Sequence, residues 1–219
     1  MTDTELRDQV AATARRLAAE GLLIGTAGNV SVRSADRVAV TATGVVLGDC
    51  TADDVTEVTV DGDILAGRLL PTSELDLHLK VYQRTGATAV VHTHAPYSTA
   101  VACVDDLTVL PVLHYQQLLL GGEIRIAPYA TFGSPELADV VVEALTDRQA
   151  ALMANHGSIA VGATLDKAVD NALLLEWAAA LYQRTRAMGR PRALTGDEQI
   201  AVVDQAIRLR YGTTQENPA

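Results

Sequence analysis

A chain of 219 residues can build one full hydrophobic core and is short for two, and its 48% apolar and 20% charged residues are ordinary globular composition. Seventeen Lys plus Arg stand against 27 Asp plus Glu, a net charge of −10 that argues against nonspecific nucleic-acid binding and against docking on anionic membranes. An anionic substrate must then be held by local devices rather than by a global field, and with only 4% aromatic residues the core must come from Ala, Val and Leu.

The N-terminus has neither the basic nor the apolar region of a signal peptide, and no apolar run approaches the ~18 residues of a membrane span. A soluble, cytoplasmic protein is expected. Cys50 and Cys103 have no metal or redox spacing and read as two reduced, buried thiols.

In chain order, Leu6, Val10, Ala14 and Leu17 have helical spacing up to Gly21, with a capping-box pair at Thr2 and Glu5. A glycine-spaced stretch, Gly25-Thr26-Ala27-Gly28-Asn29-Val30-Ser31-Val32, precedes a β-rich region: Val38 to Thr41, a turn at Gly44, then Val55 to Val60 with a hairpin signal at Asp61-Gly62. Pro71-Thr72-Ser73-Glu74 opens a second helix through Leu75, Leu79 and Tyr82. Thr88 to His94 reads as a strand, and a helix starts at Pro96. Ser134-Pro135 is an N-cap followed by proline in the first turn. Ala150 to Met153 and Ser158 to Val161 read as short strands around Asn155-His156-Gly157. Helices are expected from about Leu165 to Arg186 and from Gly196 to Arg210, the latter with a capping-box pair at Thr195 and Glu198, before a loose polar tail. With no repeat or linker, residues 1–219 read as a single α/β domain around one mixed sheet.

On a strand, His92 and His94 share a face and can meet one metal ion, although two histidines ending an apolar strand can equally be surface residues. His156, in a glycine-flanked turn, is either a turn residue or the third member of a facial set that leaves positions open for substrate. Glu74 either complements a helix dipole or, near a dication, serves as ligand and proton shuttle. His78, one turn later, is a candidate supporting partner, with a structural role favoured for it and for His114. The segments Gly25 to Asn29, Thr43-Gly44 and Thr72-Ser73 are each turn-like. Together they offer backbone N–H groups and hydroxyls suited to a phosphate, and none is a nucleotide fingerprint.

The ordered set Gly28-Asn29-Val30-Ser31, Thr43-Gly44, Pro71-Thr72-Ser73-Glu74, His92-Thr93-His94 and Asn155-His156-Gly157 resembles the class II aldolase and adducin family. Similar stretches at Leu113-His114-Tyr115, Ala127 to Gly133 and Glu198 to Val203 extend the resemblance over nearly the whole chain, to Tyr211-Gly212. The resemblance implies a three-layer α/β/α fold with a largely antiparallel central sheet, assembled as a homotetramer. It also implies one Zn²⁺ per subunit on His92, His94 and His156, with Glu74 able to approach the metal.

By the same resemblance, phosphate would sit against Asn29, Thr43, Gly44, Thr72 and Ser73, helped by Thr26 and Gly28. Tyr115 and Tyr211 would act as catalytic groups on a neighbouring subunit's site. The implied reaction is reversible cleavage of a ketose 1-phosphate, such as L-fuculose 1-phosphate, into dihydroxyacetone phosphate and an aldehyde such as lactaldehyde. Glu74 moves the proton on the carbon that becomes nucleophilic. Ala42 stands where many members have proline, and Thr72 where they have serine. Pentulose-phosphate epimerases of the family carry aspartate where this chain has Glu74, which favours the aldolase branch. An epimerase, a dehydratase or a non-catalytic adducin-like binding module remain the alternatives.

Overall fold

The structure, a computed structural model, describes residues 3–214. The cap expected of Thr2 and the tail from residue 215 lie outside the described residues.

The chain runs α1 (Asp3–Ala19), β1 (Asn29–Ser34), β2 (Arg37–Thr41), β3 (Val55–Thr59), β4 (Ile64–Ala66), α2 (Leu75–Arg84), β5 (Ala89–Thr93) and α3 (Pro96–Ala102). It continues with β6 (Val109–Leu110), a 3-10 turn at Tyr115–Leu120, β7 (Ile124–Ala127), α4 (Pro135–Ala144), β8 (Ala150–Met153), β9 (Gly157–Gly162), α5 (Leu165–Met188) and α6 (Gly196–Leu209). The strands form one nine-stranded sheet in the order β4-β3-β2-β1-β5-β9-β8-β7-β6. Every adjacent pair is antiparallel except β7 and β8.

Side-chain alternation along the strands builds two cores. Ala89 and Val91 of β5, Ala150 and Leu152 of β8 and Ala160 of β9 pack under α1, α3 and α5. Val90, Ala151, Met153, Ile159 and Val161 pack under α2 and α4. Helices therefore cover both faces, the expected three layers. Ser134, Thr164 and Thr195 accept N-cap hydrogen bonds at the starts of α4, α5 and α6, and the box of Thr195 and Glu198 is formed. No helix among the described residues is long and apolar enough to cross a membrane.

The periodicity missed three strands. β1 lies in what reads as a glycine-spaced loop, and its Val30 and Val32 face the α1 side while Asn29 and Ser31 face α2. β6 and β7 are too short to show alternation. One cysteine also departs from expectation: Cys50 is buried, its thiol pushed up to about 11 by burial, with Asp54 adding to the shift, but Cys103 is exposed because it caps the end of α3.

Glu57 on β3 is fully buried, with Arg7 Nε at 3.2 Å and Arg37 Nη1 at 3.3 Å from its two oxygens. Both arginines keep contact with water, so the carboxylate is the member that cannot lose its partners cheaply. Chemical denaturation should show Arg7→Met, which leaves the buried carboxylate with Arg37 alone, destabilising by up to about 3 kcal/mol, and Glu57→Gln by clearly less. Equal losses would mean the arginines, not the buried carboxylate, carry the cost.

Candidate metal centre and its cavity

Antiparallel register assembles the centre. β1 pairs with β5 so that Asn29 lies opposite His92, and β5 pairs with β9 so that Thr93 lies opposite Ser158. His94 follows directly after β5, and His156 sits in the tight β8–β9 turn, whose Asn155 has φ +55°. Asparagine tolerates that left-handed geometry better than most residues. Gly28 has φ +94°, and a Cβ there would meet the His92 carbonyl oxygen at 2.8 Å, so only glycine lets β1 start this close to β5.

The three imidazoles meet. Their ring centroids are 4.8, 4.9 and 5.1 Å apart, and one nitrogen from each lies within 4.8 Å of the others. His92 is fully buried and its Nδ1 donates to the Ser158 carbonyl at 2.9 Å, which turns Nε2 into the cluster, 3.0 Å from His94 Nε2. Burial pushes His94 down to about 4 and also lowers His156, so both rings are neutral ligands at ordinary pH.

Glu74 is the N-cap residue of α2, yet its side chain makes no capping bond. It points at the histidines instead: Oε2 is 3.1 Å from His92 Nε2, and Oε1 is 3.4 Å from His156 Nε2 and has no hydrogen-bond partner. Burial pushes its carboxyl up, but the His92 ring, the hydrogen bond from Asn29 and the His156 ring outweigh that and hold it below the usual carboxylate range. The reading of Glu74 as a helix-dipole residue is thus displaced by geometry.

His92 Nε2 and His94 Nε2, 3.0 Å apart, share a proton or a cation between them, and Glu74 Oε1, a buried carboxylate oxygen without a donor, is costly as it stands. A divalent cation would satisfy both, and three imidazole nitrogens with a carboxylate oxygen are a donor set that such a cation takes. The donor set fits the metal.

One wall of the same cavity, about 310 Å³, is formed by Thr26, Gly28, Asn29, Thr43, Gly44, Thr72 and Ser73, and another by Glu74, His94 and His156. All the expected phosphate-side residues therefore line one space with the cluster, and none of the lining residues is Lys or Arg. Tyr129, Phe132 and Asn155 also line it, a contribution missed from the residues alone. Two exposed aromatics close together, in a chain this poor in them, were the available signal.

Tyr115 and Tyr211 are elsewhere on the chain. They line a separate depression of about 410 Å³ against α6, their hydroxyls 3.4 Å apart, with Gln116 Nε2 donating to the Tyr211 hydroxyl at 3.3 Å. Their mutual contact raises the Tyr115 phenol and lowers that of Tyr211. His114 caps the 3-10 turn through the Gln116 N–H and packs on Trp177, the structural role expected of it.

The family model described as "Class II Aldolase and Adducin N-terminal domain" matches residues 8–183. An L-fuculose phosphate aldolase of Escherichia coli (strain K12) is 40% identical over 214 residues, 97% of this chain and 98% of its own. A 5-methylthioribulose-1-phosphate/5-deoxyribulose-1-phosphate aldolase of Rhodospirillum rubrum is 38% identical over 98% of this chain and 96% of its own. Among solved structures, an L-fuculose 1-phosphate aldolase superposes with a TM-score of 0.88 at 30% identity, covering 94% of this chain and 97% of its own.

Metal titration by calorimetry should give one zinc per chain, with His94→Ala and His156→Ala each weakening binding at least about a hundredfold, since even outer partners of a ligand cost about 10–100-fold. Unchanged affinity in either variant would remove that residue from the donor set.

Proposed function

The chain belongs to the class II aldolase and adducin family, and we propose that it is a zinc-dependent lyase that cleaves a ketose 1-phosphate into dihydroxyacetone phosphate and an aldehyde. One observation carries the reading: a carboxylate and two of three converging imidazoles, His94 and His156, line one cavity with a bed of hydroxyls and a glycine-rich turn, and the third, His92, is buried directly behind them. His92, His94 and His156, with Glu74 beside them, would hold a divalent cation, which would supply a Lewis acid for the substrate's carbonyl and hydroxyl oxygens.

The chain's own groups do the rest. The Thr72 hydroxyl accepts from Asn29 Nδ2 at 3.1 Å and from the Glu74 N–H at 3.3 Å, so its single proton is left to donate to a phosphate oxygen. Thr26, Gly28, Asn29, Thr43, Gly44 and Ser73 complete a neutral phosphate bed of backbone N–H groups and hydroxyls. In the condensing direction the ionised Glu74 takes the proton from C3 of dihydroxyacetone phosphate as the C3–C4 bond forms; cleavage runs the same transfer backwards, from protonated Glu74 to C3 as that bond breaks. Tyr129 and Phe132, both exposed on the cavity rim, offer an apolar wall. That wall suits an aldehyde with an apolar end, as 5-deoxyribulose and 5-methylthioribulose 1-phosphates would release. In condensation Tyr115 gives its phenol proton to the aldehyde oxygen that becomes the C4 hydroxyl, in cleavage its phenolate takes that proton back, and Tyr211 closes the site against water. Because neither lines the cavity in one chain, a second copy in a homotetramer brings them.

A coupled assay for dihydroxyacetone phosphate should detect cleavage of L-fuculose, 5-deoxyribulose or 5-methylthioribulose 1-phosphate by zinc-loaded protein and none after chelation. Glu74→Gln should lower kcat by about 10² or more with zinc retained. A product of unchanged carbon count would instead mark an epimerase or dehydratase, and no conversion at all a binding module.

The shared site has its own test. His92→Ala and Tyr115→Phe (truncated after Arg210) should each be nearly inactive, and co-refolded mixtures should recover roughly a quarter of wild-type activity through hybrid interfaces. No recovery in verified mixed oligomers places all the groups in one chain.

A further inference from the structure

A buried hydrogen-bonded chain ends on Glu74 from behind. Every fourth residue of one face of α2, Glu74, His78 and Tyr82, meets alternate residues of β1, Asn29 and Ser31. Asn29 Nδ2 donates to Glu74 Oε2 at 2.9 Å and to Thr72 Oγ1 at 3.1 Å. His78 Nε2 hydrogen-bonds Asn29 Oδ1, His78 Nδ1 lies 2.6 Å from Ser31 Oγ, and Ser31 Oγ lies 2.5 Å from the Tyr82 hydroxyl. Asn29, Ser31, His78 and Tyr82 are all at most 3% exposed, so water cannot substitute for a missing partner.

Donor counting permits one direction along this chain. The Asn29 amide faces two oxygens on one side, Glu74 Oε2 at 2.9 Å and Thr72 Oγ1 at 3.1 Å, and the NH₂ end, with its two protons, can serve both. Asn29 Oδ1 then faces His78 and only accepts, so His78 Nε2 must carry the proton. Burial pushes His78 down to about 3, and a neutral ring has a single N–H, so Nδ1 is bare and accepts from the Ser31 hydroxyl. Ser31 has then spent its proton, and its oxygen accepts from Tyr82, whose phenol burial holds well above its usual value.

The two ends of an asparagine amide have nearly the same shape, so packing alone does not choose between them; the hydrogen-bond partners do. We propose that His78, which lines no part of the cavity, is the positioning residue that fixes the Asn29 amide. Through it His78 holds Glu74 by Oε2, beside His92, with Oε1 turned to His156. With the amide reversed, Asn29 Oδ1 would oppose the Glu74 carboxylate and the Thr72 hydroxyl would lose a donor. The consequence for turnover rests on the aldolase reading; the direction of the chain does not.

Two measurements decide it. In metal-free protein labelled with ¹⁵N-histidine, long-range ¹H–¹⁵N spectra should show His78 as the Nε2–H tautomer with a bare Nδ1. The Nδ1–H tautomer or a charged ring overturns the proposal whether or not the protein is an aldolase. Kinetics then use two replacements. A glutamine amide can reach the Nε2 position and keep a donor toward Asn29, whereas an asparagine amide reaches only as far as Nδ1. With zinc content and thermal unfolding matched to wild type, His78→Asn should lose about tenfold or more in kcat, the scale of a buried hydrogen bond, with KM changed little. His78→Gln should recover most of that loss. Equal kcat for His78→Asn and wild type, or equal defects in both variants, overturns positioning through Asn29. A wild-type protein that cleaves no ketose 1-phosphate sinks the aldolase reading and leaves the tautomer result standing.

Discussion

Antiparallel register between β1, β5 and β9 sets the distances on which the site depends. It holds Asn29 opposite His92 and Thr93 opposite Ser158, and the β8–β9 turn then carries His156 to the same end of the sheet. A slip of β5 by one residue would turn His92 away from α2 and exchange Val90 and Val91 between the two cores. Because helices cover both faces of the sheet, such a slip is opposed on each side. The register is therefore as firm as the packing of the whole molecule, and the imidazoles inherit that firmness. Gly28 belongs to the same constraint, since the start of β1 runs against the His92 carbonyl where no Cβ fits.

Electrostatics at the site invert the character of the chain. The protein carries a net charge of −10, yet the cavity needs to accept an anion, and its lining has no Lys or Arg to do so. Neutral donors are the alternative, and they are what the phosphate-side residues provide: hydroxyls, an amide and backbone N–H groups in tight turns. In the proposed reaction the cation on the histidines is then the principal positive charge near the substrate, with Glu74 the ionised group beside it.

A further surface has no counterpart within the chain. None of the residues of α6 is buried; Ile200, Val203 and Ile207 form an exposed apolar stripe, and Ala201, Val202, Ala206 and Leu209 line the depression with Tyr115 and Tyr211. In the proposed assembly this is the region that accompanies the two tyrosines into a neighbour's site. An amphipathic helix held to its own chain chiefly at the 3-10 turn is suited to such a task, because few intrachain contacts resist its docking elsewhere.

Much of this was legible in the amino-acid sequence. The helices, the strands at residues 38, 55, 88 and 150, and the caps at Ser134 and Thr195 follow from periodicity and from side chains that bond the backbone locally. The pairing of His92 with His94 follows from strand geometry. Family resemblance, rather than spacing, joined His156 and the phosphate-side residues to them. Other features depended on partners distant in the chain. β1 looked like a loop because Asn29 and Ser31 are polar, and they are buried only because α2 brings His78, Tyr82 and Glu74 against them. Cys103 looked like a core residue and is exposed because α3 ends there. Glu74 looked like a residue of the first helical turn and proved to be an N-cap whose side chain serves the cluster. Local propensity is written in neighbouring residues, but which polar groups become buried, and against what, is set only when strands and helices far apart in sequence close on one another. The sequence thus determined which residues were available for chemistry, and the tertiary structure decided which of them face each other and through which atoms.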